Sequence, residues 1–224
     1  MDYEPAGQPS LFDRWEQGAD APLQAPLAVA DSAYRAWLLE MFASHCEPGS
    51  RVISVGAGNG CMESALRDAG WDVLATDPAT SALGYCRAKG LATARYRLGE
   101  GIDIGPFDAI YCDGVLGHTW EPASKTRHAW QELGRLGHAG SVCLVSNDLA
   151  DDDESARFVV NGTPGASFYR PPAGDFGHEA IETGKWSIQA EAIYRYSRRG
   201  SPRRRELLVT RLLVDKRVKP EDIS

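Results

Sequence analysis

The stretch Arg51–Gly60 reads RVISVGAGNG, a short apolar run that breaks into glycines at positions 56, 58 and 60. The run predicts a buried strand, and the glycines a sharp turn where the backbone comes close to a ligand and adopts positive φ. A helix beginning near Cys61 would aim its free N–H groups at that ligand. The same pattern also suits a plain β-to-α connection, so the flanking sequence has to discriminate.

Downstream, CMESALRDAG predicts a helix closed by Gly70, WDVLATD a strand ending on Asp77, and TSALGYCRAKG a helix closed by Gly90. ATARYRLGEG is a weaker, more polar strand. FDAIYCDG is apolar in alternation and then continuously, which suits a central strand buried on both faces. SKTRHAWQELGRLG predicts a helix with Ala129, Leu133 and Leu136 on one face and Trp130 beside them, followed by a turn at HAG and a fifth strand, SVCLVSND. Upstream, Asp31 caps a helix whose Tyr34, Trp37, Leu38 and Met41 share a face, and Pro48-Gly49 ends it. Strands alternating with helices imply βαβ units with right-handed crossovers, an α/β doubly wound sheet of Rossmann-like type.

Residues 1–30, with Pro5, Pro9, Pro22 and Pro26, read as an N-terminal arm or cap. Its Tyr3, Phe12 and Trp15 need a surface to dock on. Residues 31–219 read as a single domain. Within it, 149–178 forms a long inserted loop, a lid or substrate wall. EAIETGKW predicts a helix, and 187–196 with 205–214 predict a hairpin. Its turn carries Arg198, Arg199, Arg203, Arg204 and Arg205, read as a solvated tip with an anion or nucleic-acid contact as the alternative.

The 224 residues are 43% hydrophobic and 25% charged, which suits one soluble domain. A net charge of −7 disfavours a nucleic-acid partner. The five cysteines, at 46, 61, 86, 112 and 143, form no CxxC pair and read as reduced cytoplasmic thiols. The acidic start MDYEPAGQPS is not a secretory signal, and no uncharged apolar run has membrane-spanning length. No metal is expected, since Asp113 stands alone on its strand end with only Asn147-Asp148 to join it.

Asp77 and the glycine loop both belong at the carboxyl edge of the sheet, where ligands bind. A carboxylate there accepts hydrogen bonds from two ribose hydroxyls; it also suits the start of the next helix. A dinucleotide is disfavoured because GxGxxG would need its third glycine at Cys61. From about Val52 to Val214 the chain resembles the class I methyltransferases that use S-adenosylmethionine. The resemblance implies a seven-stranded sheet, mostly parallel with an antiparallel last strand, and an N-terminal helical arm. It also implies that Gly56, Ala57, Gly58 and Gly60 hold the methionine part of the cofactor and that Asp77 with Pro78 holds the ribose. Glu100 and Gly101 would lie at the adenine, and Cys112 and Asp113 at the end of strand four. The family's acid two residues before the first glycine is Ser54 here; Asp113 is the candidate to replace its charge.

His118, just after the fourth strand, is the first candidate for a general base, with His178 second and Asp113 at the same edge. Trp15, Trp120, Asn147, Phe168, Tyr169 and Phe176 are candidates for the acceptor pocket. The implied activity is N- or O-methylation of a small molecule of specialised metabolism, with an amine or aminosugar among the acceptors. A tRNA or rRNA methyltransferase, a nicotinamide oxidoreductase and a noncatalytic cofactor-binding module remain alternatives.

Overall fold

The computed structural model describes residues 11–17, 26–150, 157–160, 167–198 and 200–213. Tyr3, Pro5, Pro9, Pro22, Asp151–Glu154, Arg199 and residues 214–219 lie outside them. The chain begins with α1 (Leu11–Glu16), α2 (Leu27–Ala30) and α3 (Ser32–His45), followed by β1 (Arg51–Val55) and α4 (Cys61–Asp68). Next come β2 (Asp72–Asp77), α5 (Thr80–Ala88), β3 (Ala92–Arg95), β4 (Phe107–Asp113), α6 (Leu116–Thr119) and α7 (Arg127–Leu133). After β5 (Gly137–Asp148) stand β6 (Arg157–Val160), β7 (Ser167–Arg170), α8 (Asp175–Glu182), β8 (Trp186–Arg198) and β9 (Ser201–Leu212).

Seven strands form one sheet in the order β3-β2-β1-β4-β5-β9-β8. The pairs among β1 to β5 are parallel, and β9 runs antiparallel between β5 and β8. The order reverses at β1, so the ends of β1 and β4 flank the crevice where a ligand enters such a sheet.

Side-chain alternation in the central strands builds two cores. From β4, Ile110 and Cys112 join Trp130, Leu133, Phe176 and Trp186 beneath α7 and α8. Ala109 and Tyr111 face the opposite way, onto Tyr34, Leu38 and Phe42 of α3 and Met62 and Leu66 of α4. A strand buried on both faces reads as continuously apolar, as FDAIYCD does. Asp31 caps α3 by accepting the Ala33 and Tyr34 N–H groups at 2.9 and 3.2 Å.

Four expectations need correction. The arm is partly core, because Phe12 of α1 and Leu27 and Ala28 of α2 are buried. HAG is not a turn between helix and strand: β5 already starts at Gly137, and its register against β4 shifts between Phe107 and Ala109. The inserted segment contains an antiparallel hairpin of its own, β6 with β7. The Arg-rich run is no solvated tip, since Arg203 to Arg205 lie within β9 and Arg205 is only 5% exposed.

Candidate active site

The glycine loop is shaped by close approach. Gly56 sits at φ +75° with its α-carbon against the Val115 side chain, so any Cβ would overlap it. Gly60 takes φ +76° at the N-cap of α4, where a Cβ would meet Cys86 Sγ and Leu91 Cδ1 at 2.9 Å. The loop is held from below by Asp77. Its Oδ2 accepts the Gly58 N–H at 3.0 Å and its Oδ1 the Ala79 N–H at 2.8 Å. Burial raises the Asp77 carboxyl, against the pull of those two amides. From above, Trp15 and Phe12 of α1 close on Gly58, and Glu16 accepts from Asn59 Nδ2 at 2.8 Å while pairing with Lys89.

Behind the loop lies a buried acid that the sequence pattern hid. Ser54 Oγ donates to Glu63 Oε1 at 2.6 Å, and the two residues are 1% and 3% exposed. Burial pushes the Glu63 carboxyl up to about 7.

At the ends of β4 and β5 the chemistry is ionic. Arg205 of β9 pairs with Asp113 and, at 2.6 Å, with Asp148. Its Nε also donates to Tyr34 Oη at 3.0 Å and Ser146 Oγ at 2.8 Å. Tyr111 and Tyr196 donate to Asp113 and Asp148 at 3.1 and 2.9 Å. Burial works against each charge, yet the attraction lowers Asp148 below the usual carboxylate range and holds Arg205 firmly protonated.

The family model of the methyltransferase domain matches residues 28–194, three quarters of the chain. The chain belongs to the class I S-adenosylmethionine-dependent methyltransferases. Among curated relatives, it is 27% identical over 192 residues to a tabtoxin biosynthesis enzyme of Pseudomonas amygdali pv. tabaci, covering 84% of this chain and 75% of that one. A ubiquinone biosynthesis O-methyltransferase of Methylococcus capsulatus is 34% identical over 139 residues, 55% of this chain and 58% of the other. In solved structures the fold matches the Burkholderia thailandensis 1,6-didemethyltoxoflavin-N1-methyltransferase, bound to its acceptor and S-adenosylhomocysteine. The TM-score there is 0.68 at 15% identity, over 90% of this chain and 84% of the other.

In this methyltransferase an aromatic cluster forms where the inserted hairpin meets α6. The inserted hairpin packs onto α6 at Gly117, where a Cβ would meet the Phe168 ring and Tyr169 O at 2.6 Å. This brings the His118 ring edge-on to Phe168 with centroids 4.8 Å apart, and stacks Trp120 on Tyr169 at 4.4 Å and 15°. Phe176 backs Tyr169 at 6.4 Å. Asn147, 2% exposed, ties these parts together: it accepts the Gly117 N–H at 3.4 Å and donates to Tyr169 O at 3.5 Å.

The remaining expected residues fall variously. Ala57 and Cys112 are buried behind the loop and in β4, and Pro78 follows Asp77 on the way into α5. Glu100 is exposed and paired with Arg97 at 3.2 Å, with exposed Gly101 beside it. His178, the second candidate base, lies at the start of α8, two residues past Phe176. It stands exposed on α8, whose buried side is Phe176, Gly177, Glu179 and Ala180. A cleft of about 300 Å³ opens between Leu98, Thr119, Glu121, Ser124, His128 and Ala129. Among the described residues no cluster of three His, Cys, Asp or Glu could hold a metal, and no helix is long and apolar enough to cross a membrane. Sequence reasoning missed Glu63, Asp148 as an ion-pair partner, and Arg205.

Proposed function

We propose that this methyltransferase acts on a small molecule, by N- or O-methylation, with an amine-bearing acceptor such as an aminosugar favoured. The observation that carries this reading is the aromatic wall of Phe168, Trp120, Tyr169 and Phe176 beside His118, at the carboxyl edge. Such a wall binds a compact, partly apolar ligand. Nucleic acid is disfavoured because the hairpin arginines serve the fold. Arg205 is buried between two aspartates, Arg204 donates to Ala150 O at 3.1 Å, and Arg198 lies over the Tyr196 ring. The names of the relatives, enzymes of tabtoxin and ubiquinone biosynthesis, agree with a small-molecule acceptor in biosynthesis.

S-Adenosylmethionine, when bound, would supply a sulfonium methyl to the acceptor's lone pair, the S–CH3 bond breaking in line as S-adenosylhomocysteine leaves. The chain's residues fit it: the crowded, positive-φ glycines 56 and 60 leave backbone where a side chain would stand, and Asp77 holds the loop in that shape. Gly56, Ala57, Gly58 and Gly60 would form the cradle, and Asp77 with Pro78 would receive the ribose. Glu100 and Gly101 are the weakest of the assigned contacts, because the Glu100 carboxylate is engaged by Arg97. His118 accepts the acceptor's proton, and Trp15 closes the loop from above. Fixing donor and acceptor in line supplies most of the acceleration. A labelled-methyl transfer screen across amines, aminosugars, phenols, carboxylates and RNA tests the reading. Label in amines or aminosugars is expected; label in RNA alone overturns it.

A further inference from the structure

The polar layer beneath the glycine loop holds an imbalance of charge. On the α3 and α4 side of the sheet stand the carboxyls of Glu63, Asp113 and Asp148, and among the described residues the cation paired there is Arg205. Arg205 serves Asp113 and Asp148. Asp77, at the next strand end, is taken by two backbone amides. Glu63, 3% exposed, has neutral partners, Ser54 Oγ and its own backbone N–H. A buried carboxylate without a cation is costly, and a protein retains one where something charged comes to it.

The donor of a methyltransferase of this class carries an α-ammonium on its methionine end. We propose that Glu63 is the carboxylate that receives this ammonium, with Ser54 holding the acid in position, an inference that rests on S-adenosylmethionine being the donor. Glu63 stands in the first turn of α4, three residues past Gly60, and its hydroxyl partner stands two residues before Gly56, so both ends of the loop converge on one carboxyl. The alternative acid, Asp113, already has a guanidinium and the Tyr111 hydroxyl. The upward shift of Glu63, caused by burial and reinforced by Asp113 and Asp77, agrees with an acid waiting for a cation.

Calorimetric binding of two ligands tests this. S-Adenosylhomocysteine carries the ammonium; 5′-methylthioadenosine shares the nucleoside and lacks the amino-acid end. Glu63→Gln is expected to weaken S-adenosylhomocysteine about 10-fold or more, as loss of one charge-assisted hydrogen bond does, and to leave 5′-methylthioadenosine unchanged. Ser54→Ala, which keeps the acid and removes its anchor, is expected to give the same selectivity with a smaller loss. Equal weakening of both ligands would reduce Glu63 to a support of the loop and overturn the proposal. So would unchanged binding of S-adenosylhomocysteine to a folded Glu63→Gln. Wild-type protein that binds neither ligand would instead overturn the donor assignment, a failure visible before any variant is made.

Discussion

The two halves of the site are made of different materials. The half proposed for the donor, β1 to α5, is shaped by backbone: glycines pressed against Val115, Cys86 and Leu91, and a carboxylate that anchors two amides. The acceptor half, at the ends of β4 and β5, is shaped by side chains from far apart in sequence. There Arg205 meets Asp113 across 92 residues, and Phe168 and Tyr169 fold back onto α6. Backbone geometry is local and tolerates little change within itself. A side-chain assembly depends on distant elements arriving in register, and one substitution undoes several contacts.

That contrast can be broken most forcefully at Arg205. Arg205→Leu leaves Asp113 and Asp148 buried without a cation, and is expected to cost about 3–5 kcal/mol in urea unfolding. A cost below about 1 kcal/mol would show that the acceptor half does not depend on the ion pair. His118→Ala is expected to lower kcat about 100-fold while leaving the Kd of S-adenosylhomocysteine unchanged. A parallel loss of binding would move His118 into the donor half. Gly117→Val, which drives a side chain into Phe168, is expected to cost about 1–3 kcal/mol and to raise the acceptor KM more than the donor KM.

A further effect is one of pH, and it sets Glu63 against Asp148 by sign. In the donor half, burial raises Glu63 from an ordinary 4.5 to about 7. Between those values the folded chain keeps a proton that the unfolded chain releases, so stability falls as pH rises through this window and is level above it. Asp148, lowered in the folded chain, acts oppositely: it stabilises at neutral pH, and that contribution is lost as pH falls through its folded value. Urea unfolding of the ligand-free protein between about pH 5 and about pH 8 should therefore contain a declining contribution from Glu63 of about 1.4 kcal/mol for each unit of its shift, and Glu63→Gln is expected to lack that contribution.

The same division governs what could be read from residue order. The strand, glycine loop and helix at 51–68, and Asp77 at the end of β2, follow from local period and turn chemistry. Ser54 marked a departure from the family pattern, but the answering acid lies on the next element and shows itself only when β1 and α4 pack. The arginines of β9 look alike in sequence, and burial alone separates Arg205 from its neighbours. Hairpin β6–β7 was missed because turn residues around it mask two short strands, and what places it is a missing side chain at Gly117. His178 was placed after a loop, whereas a helix carries it, on that helix's exposed side.

The tie between β9 and the strand ends also sets an order of assembly on the ribosome. The glycine loop, Asp77 and the Leu91 and Val115 side chains that press on the loop all precede Arg205 in sequence, and Asp113 and Asp148 emerge long before it. Until that residue is synthesised, two aspartates at the acceptor edge have no cation to close around. A nascent chain is thus able to shape its glycine turn early, while the ion-paired edge at the ends of β4 and β5 is finished last.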